Sequence, residues 1–261
     1  MLLAIDAGNT NIVFAVFDGA QQKGQWRIAT DSRRTSDEYA VWLVSLMKMR
    51  GLRPVDVTRS ILSSVVPAAT FNLAKLCRDH FGTDPMRVGD PEVQLGIKNL
   101  LRNPREAGAD RLVNAVSAGA AYPKPLIVVD IGTGTTFDVV NADGDFVGGI
   151  IAPGPELALD ALHKVAAQLP KVEIVRPEQV IGYGTISAMQ SGMFWGYLSM
   201  IEGLITRIKA ELSPTGTPPV TVITTGGLGS VFAQATHMID HIDSELTLRG
   251  LRLIYERNTT T

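Results

Sequence analysis

The stretch LIVVDIGTGTTFDVVNADGDFVGG, residues 126–149, decides the fold because it places a carboxylate and a glycine turn between two apolar strands. The first apolar run ends on Asp130, and the glycine-threonine-glycine sequence of residues 132–134 follows it. Residues 135–140 are β-rich, and the Asp143-Gly144 pair is a strong signal for a hairpin turn. Glycine lets the backbone approach a bulky anion, and threonine hydroxyls can contact it. The stretch alone fits either a phosphate-binding turn or a plain tight hairpin, and the chain has no lysine-containing Walker loop.

The same pattern opens the chain, in the sequence MLLAIDAGNTNIVFAVFDG at residues 1–19. Asp6 falls opposite Asp130, an offset of 130 − 6 = 124 residues. Asp18 of the next Asp-Gly turn falls opposite Asp143, an offset of 143 − 18 = 125, so the match needs one inserted residue. A repeat of this length has the size of a domain, so the sequence predicts a duplicated domain and not a solenoid.

Composition limits the functions that are open to the chain. Its 261 residues fit one to two domains, and 45% hydrophobic with 19% charged residues is typical of a globular protein. The net charge of −2 provides no basic field for nucleic acid or for an anionic membrane surface. The single cysteine, Cys77, favours a reducing cytosol and is expected to be a small buried residue. Gln190 and Glu202 interrupt the longest apolar region, so no membrane span is predicted.

The elements of both halves follow from periodicity and from helix caps. In the first half, strands are predicted at residues 2–5, 11–17, 23–28 and 60–66, and helices after the capping box at 35–38 and at 71–81. This βββαβα order places an antiparallel meander before a crossover to a parallel strand. The later predictions are helices at residues 112–121, 155–167 and 244–257, a long apolar helix after Thr185, and a strand at 218–224.

The two carboxylate turns predict a nucleotide site that works through a cation. Backbone amides and hydroxyls can hold a triphosphate, whereas a carboxylate approaches phosphate oxygens without repulsion only through a bound cation. Asp6 and Asp130 are therefore candidate cation ligands, facing each other across a cleft between the two halves. Phosphoryl transfer also needs a group that takes the proton of the acceptor hydroxyl. Asp110 is a candidate for that base, beside Arg111, whose paired donors suit an acidic substrate; the alternative is a plain carboxylate at a helix N-terminus.

Six motifs, in order and spacing over essentially the whole chain, resemble those of type III pantothenate kinases. They are DAGNTN at residues 6–11, NPREAGADR at 103–111, DIGTGTTFD at 130–138, GGIIAPG at 148–154, GTISAMQSG at 184–192 and TGGLG at 225–229. The glycine-aspartate turns alone indicate the wider superfamily of acetate and sugar kinases, actin and chaperone ATPases. The GADR, GGIIxPG and QSG sequences single out the family.

This resemblance implies an α/β fold of duplicated ribonuclease H-like (actin-like ATPase) domains, with mixed sheets and an ATP cleft between them. We place the two domains at residues 1–115 and 116–261. The implied reaction is transfer of the terminal phosphate of ATP to the primary hydroxyl of pantothenate, the first step of coenzyme A biosynthesis. The implied protein is a cytoplasmic homodimer that uses Mg²⁺ with ATP and a monovalent cation, K⁺ or NH₄⁺.

The resemblance also implies roles for individual residues. The implied ATP contacts are Asp6, Ala7, Gly8, Asn9, Thr10, Asn11 and Thr133, and Asp6 would also help to place Mg²⁺ through water. The implied pantothenate contacts are Gly108, Ala109, Asp110, Arg111 and Thr185, with Asp110 as the proton acceptor. Asp130 is the implied ligand of the monovalent cation, and the pantothenate site would draw on both subunits.

Two positions depart from the family pattern. Leu101 stands where a tyrosine is usual, and Gly184 stands where an asparagine is common. Two alternatives therefore stay open: a kinase of another small alcohol on the same scaffold, which Leu101 favours, and a non-catalytic accessory factor. Retention of Asp6, Asp110 and Asp130 favours an active kinase over an accessory factor. The GADR segment makes a filament-forming, actin-like role the least favoured.

Overall fold

A computed structural model describes residues 1–165 and 169–259 of the chain. Packing divides the chain into two compact bodies, Met1–Ser117 with Glu245–Thr261, called unit 1 below, and Ala118–Ser244, called unit 2. Within the described residues, none of the helices combines the length and the apolar character that a bilayer crossing needs.

Unit 1 is built on a five-stranded mixed sheet in the order β3-β2-β1-β4-β5. Its strands are β1 (Leu2–Ala7), β2 (Asn11–Asp18), β3 (Gln21–Ala29), β4 (Arg59–Ser64) and β5 (Met86–Arg87). The first three form an antiparallel meander, and β4 and β5 extend the sheet parallel to β1. The helices are α1 (Ser36–Met49), α2 (Pro67–Phe81), the first part of α3 (Ala109–Ala121), and the C-terminal helix α7 (Leu246–Thr259).

Unit 2 repeats this plan, with a sheet in the order β10-β9-β6-β7-β8. Its strands are β6 (Leu126–Ile131), β7 (Gly134–Val140), β8 (Phe146–Pro153), β9 (Thr221–Thr225) and β10 (His241–Ile242). β6, β7 and β8 form the antiparallel meander, and β9 and β10 run parallel to β6. Its helices are α4 (Pro155–Val165), the long α5 (Thr185–Leu212) and the short α6 (Gly229–Ala233).

The two sheets share one topology, so the predicted duplication is confirmed. β1 and β6 are the central strands, and their burial patterns are identical along six residues. Asp6 and Asp130 occupy the same place in that pattern, as the one partly exposed residue near the carboxyl end of an otherwise buried strand. An internal repeat read from the sequence therefore has a direct counterpart in three dimensions.

The turn that follows each aspartate differs in length between the two copies. Ala7 pairs with Ile12, which leaves four residues in the first turn. Ile131 pairs with Thr135, which leaves three residues in the second. The second copy is therefore one residue shorter here, and its extra length lies beyond this turn, in the hairpin that contains Asp143.

Helices cover both faces of the sheet in unit 1. On one face, Leu3 and Phe14 of the sheet pack with Tyr39 of α1 and Leu73 of α2. A second buried cluster joins β1 to α3 and α7, and it includes Leu2, Ala4, Val113, Leu251 and Ile254. Because β1 is buried on both faces, its sequence is a continuous apolar run and does not alternate.

Cys77 lies on the buried side of α2, in the core cluster that α2 forms with α1 and the sheet, and it is fully buried. Burial raises the pKa of its thiol to about 12, against a smaller opposing effect of the Ser60 hydroxyl. A thiol with this pKa is almost entirely protonated at neutral pH. The expectation of a small buried residue at this position is confirmed.

The C-terminal helix joins unit 1, whereas the predicted bounds of 116–261 place it with the second domain. α7 packs on β1 and β4. A Cβ added at Gly250 would lie 2.4 Å from the carbonyl oxygen of Val113, so α7 and α3 are in close backbone contact. Thr247 Oγ1 also donates to Asn114 Oδ1 at 2.8 Å. These contacts are long-range in sequence, and position along the chain does not reveal them.

Local differences from the predicted elements have simple causes. The strands β5 and β10 are two residues long and lie in segments without a periodic pattern. α2 begins at Pro67, ahead of the predicted start at residue 71, because proline is favoured at the first helical position. The predicted helix end at Ala167 and the last tail residues, 260–261, lie outside the described residues.

Candidate active site

Asp6 lies at the carboxyl end of the central strand of unit 1. In the sheet register it stands between Val13 of β2 and Ser63 of β4. Burial raises the pKa of its carboxyl from 3.8 to about 7; the negative charge of Asp110 adds to this, and the Ser63 hydroxyl opposes it. An aspartate held in this way is poorly solvated when ionised, so a bound cation would stabilise its charged form.

The turn after Asp6, residues 8–11, is a compact loop with an exposed tip. The Gly8 amide donates to the Asn11 carbonyl oxygen at 3.0 Å. Thr30, the residue that follows β3, holds the loop in place through two hydrogen bonds. Its hydroxyl donates to the Gly8 carbonyl oxygen at 2.7 Å, and its amide donates to the Thr10 carbonyl oxygen at 2.9 Å. Asn9 and Thr10 are exposed at the tip. The arrangement presents polar groups on a fixed backbone, as a phosphate-binding turn requires.

Asp110 lies in the first turn of α3. The Gly108 carbonyl oxygen accepts from the Leu112 amide at 3.3 Å at the start of this helix. The Arg111 amide donates to Asp110 Oδ1 at 2.8 Å, which fixes the carboxylate beside the backbone. A Cβ added at Gly108 would lie 2.6 Å from Asp110 Oδ1, so the carboxylate occupies the space that a side chain would take.

The pKa of the Asp110 carboxyl is raised above its ordinary value. Burial raises its pKa, although the Arg111 amide and the Arg111 charge act in the opposite direction. A carboxyl with a raised pKa is a better proton acceptor for a hydroxyl than an exposed one. The raised pKa is therefore compatible with the predicted role of Asp110 as a general base.

The ends of β1, β4 and α3 meet within unit 1. Val65 continues β4 by donating its amide to Ala7 O at 3.1 Å, and its side chain is next to Gly108. This contact places the start of α3 near the end of β1, and the charge of Asp110 acts on Asp6. Two carboxylates of like charge in one place favour a site that binds a cation, a proton, or both.

Asp130 is the counterpart of Asp6 in unit 2. It pairs with Thr136 of β7 and with Thr225 of β9. A Cβ added at Gly226, whose φ is +86°, would lie 2.4 Å from Asp130 Oδ1 and 2.6 Å from the Ile131 carbonyl oxygen. The backbone of the TGGLG turn therefore contacts the carboxylate directly, and glycine is required there by conformation and by space.

Thr133 lies in the short turn behind Asp130. The Gly132 amide donates to the Gly134 carbonyl oxygen at 3.0 Å across the turn. The Gly154 amide, from the end of β8, donates to the Thr133 carbonyl oxygen at 3.0 Å. This turn is the structural equivalent of residues 8–11, so unit 2 carries the second of the two predicted phosphate turns.

Thr185 is exposed at the first position of α5, in unit 2. Ser187 Oγ accepts from the Gly184 amide at 3.1 Å and donates to the Gly184 carbonyl oxygen at 3.0 Å, which fixes the start of this helix. The other predicted pantothenate contacts, residues 108–111, lie in unit 1. Leu101 is half-buried in the irregular segment ahead of them, and its amide donates to Asn99 Oδ1 at 3.2 Å.

The donor atoms around the two aspartates are oxygens. Across residues 1–165 and 169–259, no group of three or more His, Cys, Asp or Glu side chains forms a metal site. Hard cations such as Mg²⁺ and K⁺ take oxygen ligands, and Mg²⁺ often shares a few carboxylates with the phosphates of a nucleotide. The oxygen donors present therefore fit a hard cation that is bound together with a nucleotide.

Three features of the site were not predicted from the sequence. Ser63 lies beside Asp6 near the end of β4. The sequence feature that could have identified it is a hydroxyl residue at the carboxyl end of a buried strand. Thr30, which fastens the first turn, follows directly after β3, where a threonine has no distinctive pattern. Gly154 belongs to the GGIIAPG motif, but its contact with the second turn depends on the path of β8.

Duplicated mixed sheets, each with an aspartate at the end of its central strand and a polar turn behind it, define the class of actin-like ATPases and sugar kinases. A Campylobacter jejuni protein described as a Baf family transcriptional activator has a TM-score of 0.63 at 17% identity, covering 99% of this chain and 100% of that one. A Sinorhizobium meliloti protein described as a 2-dehydro-3-deoxygalactonokinase has a TM-score of 0.57 at 12% identity, covering 100% and 98%. At these identities the likeness concerns the fold alone.

Sequence similarity narrows this class. The family model described as Type III pantothenate kinase matches residues 2–207. A Type III pantothenate kinase of Rhodospirillum centenum is 70% identical over 258 residues, 99% of each chain. A second one, of Paramagnetospirillum magneticum, is 56% identical over 260 residues, 100% of this chain and 98% of the other. The chain belongs to the type III pantothenate kinase family.

Proposed function

We propose that this protein transfers the terminal phosphoryl group of ATP to the primary hydroxyl of pantothenate, the first step of coenzyme A biosynthesis. The observation that carries the proposal is the electrostatic effect of Asp110, at the start of α3, on Asp6, at the end of β1, together with the raised pKa of both carboxyls. A candidate cation ligand and a candidate proton acceptor thus act on each other within one unit. Family membership supplies the identity of the acceptor alcohol.

ATP would be held by the two turns. The proposed contacts are Asp6, Ala7, Gly8, Asn9, Thr10, Asn11 and Thr133. The hydrogen bonds from Thr30 and Gly154 that fasten the turns support this role, because a rigid backbone binds phosphate without a large cost in conformational entropy. Mg²⁺ bound with ATP would neutralise charge on the phosphates, and Asp6 is the residue that would hold it, through water.

Pantothenate would be held at the start of α3, by Gly108, Ala109, Asp110 and Arg111, together with Thr185. Arg111 suits the pantothenate carboxylate, since guanidinium groups bind carboxylates through paired donors. Asp110 would accept the proton of the attacking hydroxyl. Its fixed Oδ1 and raised pKa support that role.

Asp130 would hold a monovalent cation, K⁺ or NH₄⁺. The backbone of Gly226 lies close to this carboxylate and also to the Ile131 carbonyl oxygen, which supports the assignment, because K⁺ sites are built from several oxygens including backbone carbonyls. The single buried cysteine supports a cytoplasmic location.

A homodimer is the proposed assembly. Several large apolar side chains of unit 2 are exposed, among them Ile151, Leu157, Val180, Ile181, Tyr183 and Ile186. Exposed apolar surface of this kind often marks an association site. Ile181→Ser should lower the dimer fraction in light scattering coupled to size-exclusion chromatography. Val41→Ser is a matched control, since Val41 of unit 1 is equally exposed, at 71%.

The test of the reaction is ADP release from ATP, Mg²⁺ and pantothenate, with potassium and then with sodium alone. Wild type is compared with Asp110→Asn and with Glu106→Gln as a matched control. Glu106 belongs to the same motif, is exposed, and accepts from Asn103 Nδ2 at 2.9 Å. We expect release that requires pantothenate and potassium, that Asp110→Asn abolishes, and that Glu106→Gln preserves.

Other outcomes separate the alternatives. Release that survives in Asp110→Asn would keep the kinase and remove Asp110 as its base. Release with a different small alcohol, but not with pantothenate, would indicate that Leu101 marks a change of acceptor. ATP binding without release to any acceptor tested would favour the accessory factor.

A further inference from the structure

Gly154, the residue between β8 and α4, is in backbone contact with the turn that carries Thr133. A Cβ added at Gly154 would lie 2.2 Å from the Gly132 carbonyl oxygen and 2.4 Å from the Thr133 carbonyl oxygen. Only glycine permits two backbone segments to approach so closely. Because the Gly154 amide also donates to Thr133 O at 3.0 Å, the position of Gly154 sets the position of the turn.

Two donors hold the carbonyl group of Gly154. The Ala158 amide, in the first turn of α4, donates to it at 3.0 Å. Tyr197 Oη, which comes from α5, donates to it at 3.1 Å and lies 3.3 Å from the Pro153 carbonyl oxygen. A single tyrosine hydroxyl thus ties the long helix α5 to the backbone that supports the turn.

The ring of Tyr197 is held independently of its hydroxyl. It packs against a buried cluster that contains Leu159 and Met193. Its centroid is 6.3 Å from that of Phe232. A phenylalanine at this position would keep the packing and lose only the two hydroxyl contacts, so the hydroxyl can be tested separately from the core.

We propose that Tyr197 is a positioning residue for nucleotide binding, whose hydroxyl holds the Gly132 and Thr133 turn through Gly154. This inference rests on the proposed contact between Thr133 and ATP. Loss of one hydrogen bond of this kind should weaken ATP binding about fivefold, the equivalent of ~1 kcal/mol. The effect should fall on ATP and not on pantothenate or on the chemical step, because the supported turn is the nucleotide turn.

The experiment compares full-length Tyr197→Phe with wild type in steady-state kinetics. Calorimetric titration with Mg²⁺ and a non-hydrolysable ATP analogue gives a second readout that does not depend on turnover. We expect KM for ATP and Kd for the analogue to rise about fivefold, with kcat and KM for pantothenate within about twofold of wild type. Tyr122→Phe is the matched control, because it removes a hydroxyl that donates to Asp243 Oδ2 at 2.8 Å elsewhere in unit 2.

Thr133→Ala separates this inference from the function on which it rests. Weaker analogue binding in Thr133→Ala, with wild-type binding in Tyr197→Phe, overturns the positioning role and leaves the ATP contact in place. Unchanged binding in Thr133→Ala overturns the ATP contact and the positioning role with it. Equal losses in Tyr197→Phe and Tyr122→Phe, or a fall in kcat alone, overturn the positioning role in favour of general destabilisation.

Discussion

Replacement of Asp6 by asparagine should stabilise the ligand-free protein at neutral pH while it impairs ATP-dependent turnover. The carboxyl of Asp6 has its pKa raised to about 7, so the folded state holds this proton more tightly than the unfolded state does. The contribution to folding is therefore most favourable below pH 3.8 and is lost as the pH rises from 3.8 to about 7. Asparagine has nearly the same shape and does not titrate, so it removes this loss.

The size of the effect follows from the displaced pKa. A rise from 3.8 to about 7 corresponds to about 4 kcal/mol at pH 8, since each pKa unit is worth ~1.4 kcal/mol. The Asp6 side chain keeps partial contact with solvent, and this reduces the expected gain to about 2 kcal/mol. For a chain of this length, about 2 kcal/mol corresponds to a rise in Tm of roughly 4–8 °C.

The assay is thermal unfolding of the ligand-free protein, followed by circular dichroism between pH 4 and pH 8. Wild type should lose stability relative to Asp6→Asn across this range. Added Mg²⁺ and ATP should raise the Tm of wild type more than that of the variant, because the cation stabilises the ionised carboxylate. Turnover by Asp6→Asn should fall at least tenfold, the effect of losing a cation ligand.

Glu38→Gln is a control of opposite sign. The Thr35 amide and hydroxyl lower the pKa of Glu38 in the capping box of α1, so this residue stabilises the fold above its unfolded pKa of 4.5 and ceases to do so in acid. Glu38→Gln should therefore lower the Tm at pH 7 and have little effect near pH 4. Equal or lower stability of Asp6→Asn at pH 8, with Glu38→Gln behaving as described, would show that the environment of Asp6 does not destabilise its charge.

Three further predictions concern single positions in the two units. Gly108→Ala places a Cβ 2.6 Å from Asp110 Oδ1 and should lower kcat for ADP release about tenfold, with an unchanged circular dichroism spectrum. An unchanged kcat would show that catalysis does not depend on this position of the Asp110 carboxylate. Gly226→Ala places a Cβ 2.4 Å from Asp130 Oδ1 at a backbone φ of +86°, so it should lower stability by about 1–3 kcal/mol in urea unfolding. It should also raise the potassium concentration that gives half-maximal activity in a potassium titration. Normal activation in a folded variant would argue against Asp130 as the ligand. Cys77 should resist iodoacetamide in the folded protein at pH 8, because its thiol is buried and has a pKa of about 12. It should react fully in urea, and the intact mass of the protein measures both reactions. Rapid reaction in buffer without urea would contradict the burial.

The duplicated core of the fold could be predicted from the sequence because the signal is local. In each copy an apolar strand, an aspartate, a glycine turn and a second strand follow one another directly, and hydrogen bonds between neighbouring strands convert that order into an antiparallel meander. The helix caps at Thr35 and at Gly82 are similarly local. Features whose residues lie within about ten positions of one another could therefore be predicted from the sequence.

Features that depend on distant contacts could not be predicted in this way. The influence of Asp110 on Asp6 requires α3 to reach the end of β1, across about one hundred residues of chain. Tyr197 lies in an apolar helix and has the pattern of an ordinary core residue, and only the path of β8 brings a carbonyl to its hydroxyl. The roles of Asp6, Asp110, Asp130 and Thr185 toward ligands remain predictions that the experiments above test.

The return of α7 to unit 1 has a consequence for how the protein is made. Translation proceeds from the N-terminus, so a ribosome releases the β-meander of unit 1 before unit 2, and it releases α7 only after unit 2. Until then Leu2 and Ala4 lack the residues of α7 that cover them, such as Leu251 and Ile254. Unit 2 is a contiguous segment and can complete its own core earlier. The half that is synthesised first is therefore the half that finishes folding last, and a nascent chain stalled before residue 245 exposes an open sheet face to chaperones and proteases.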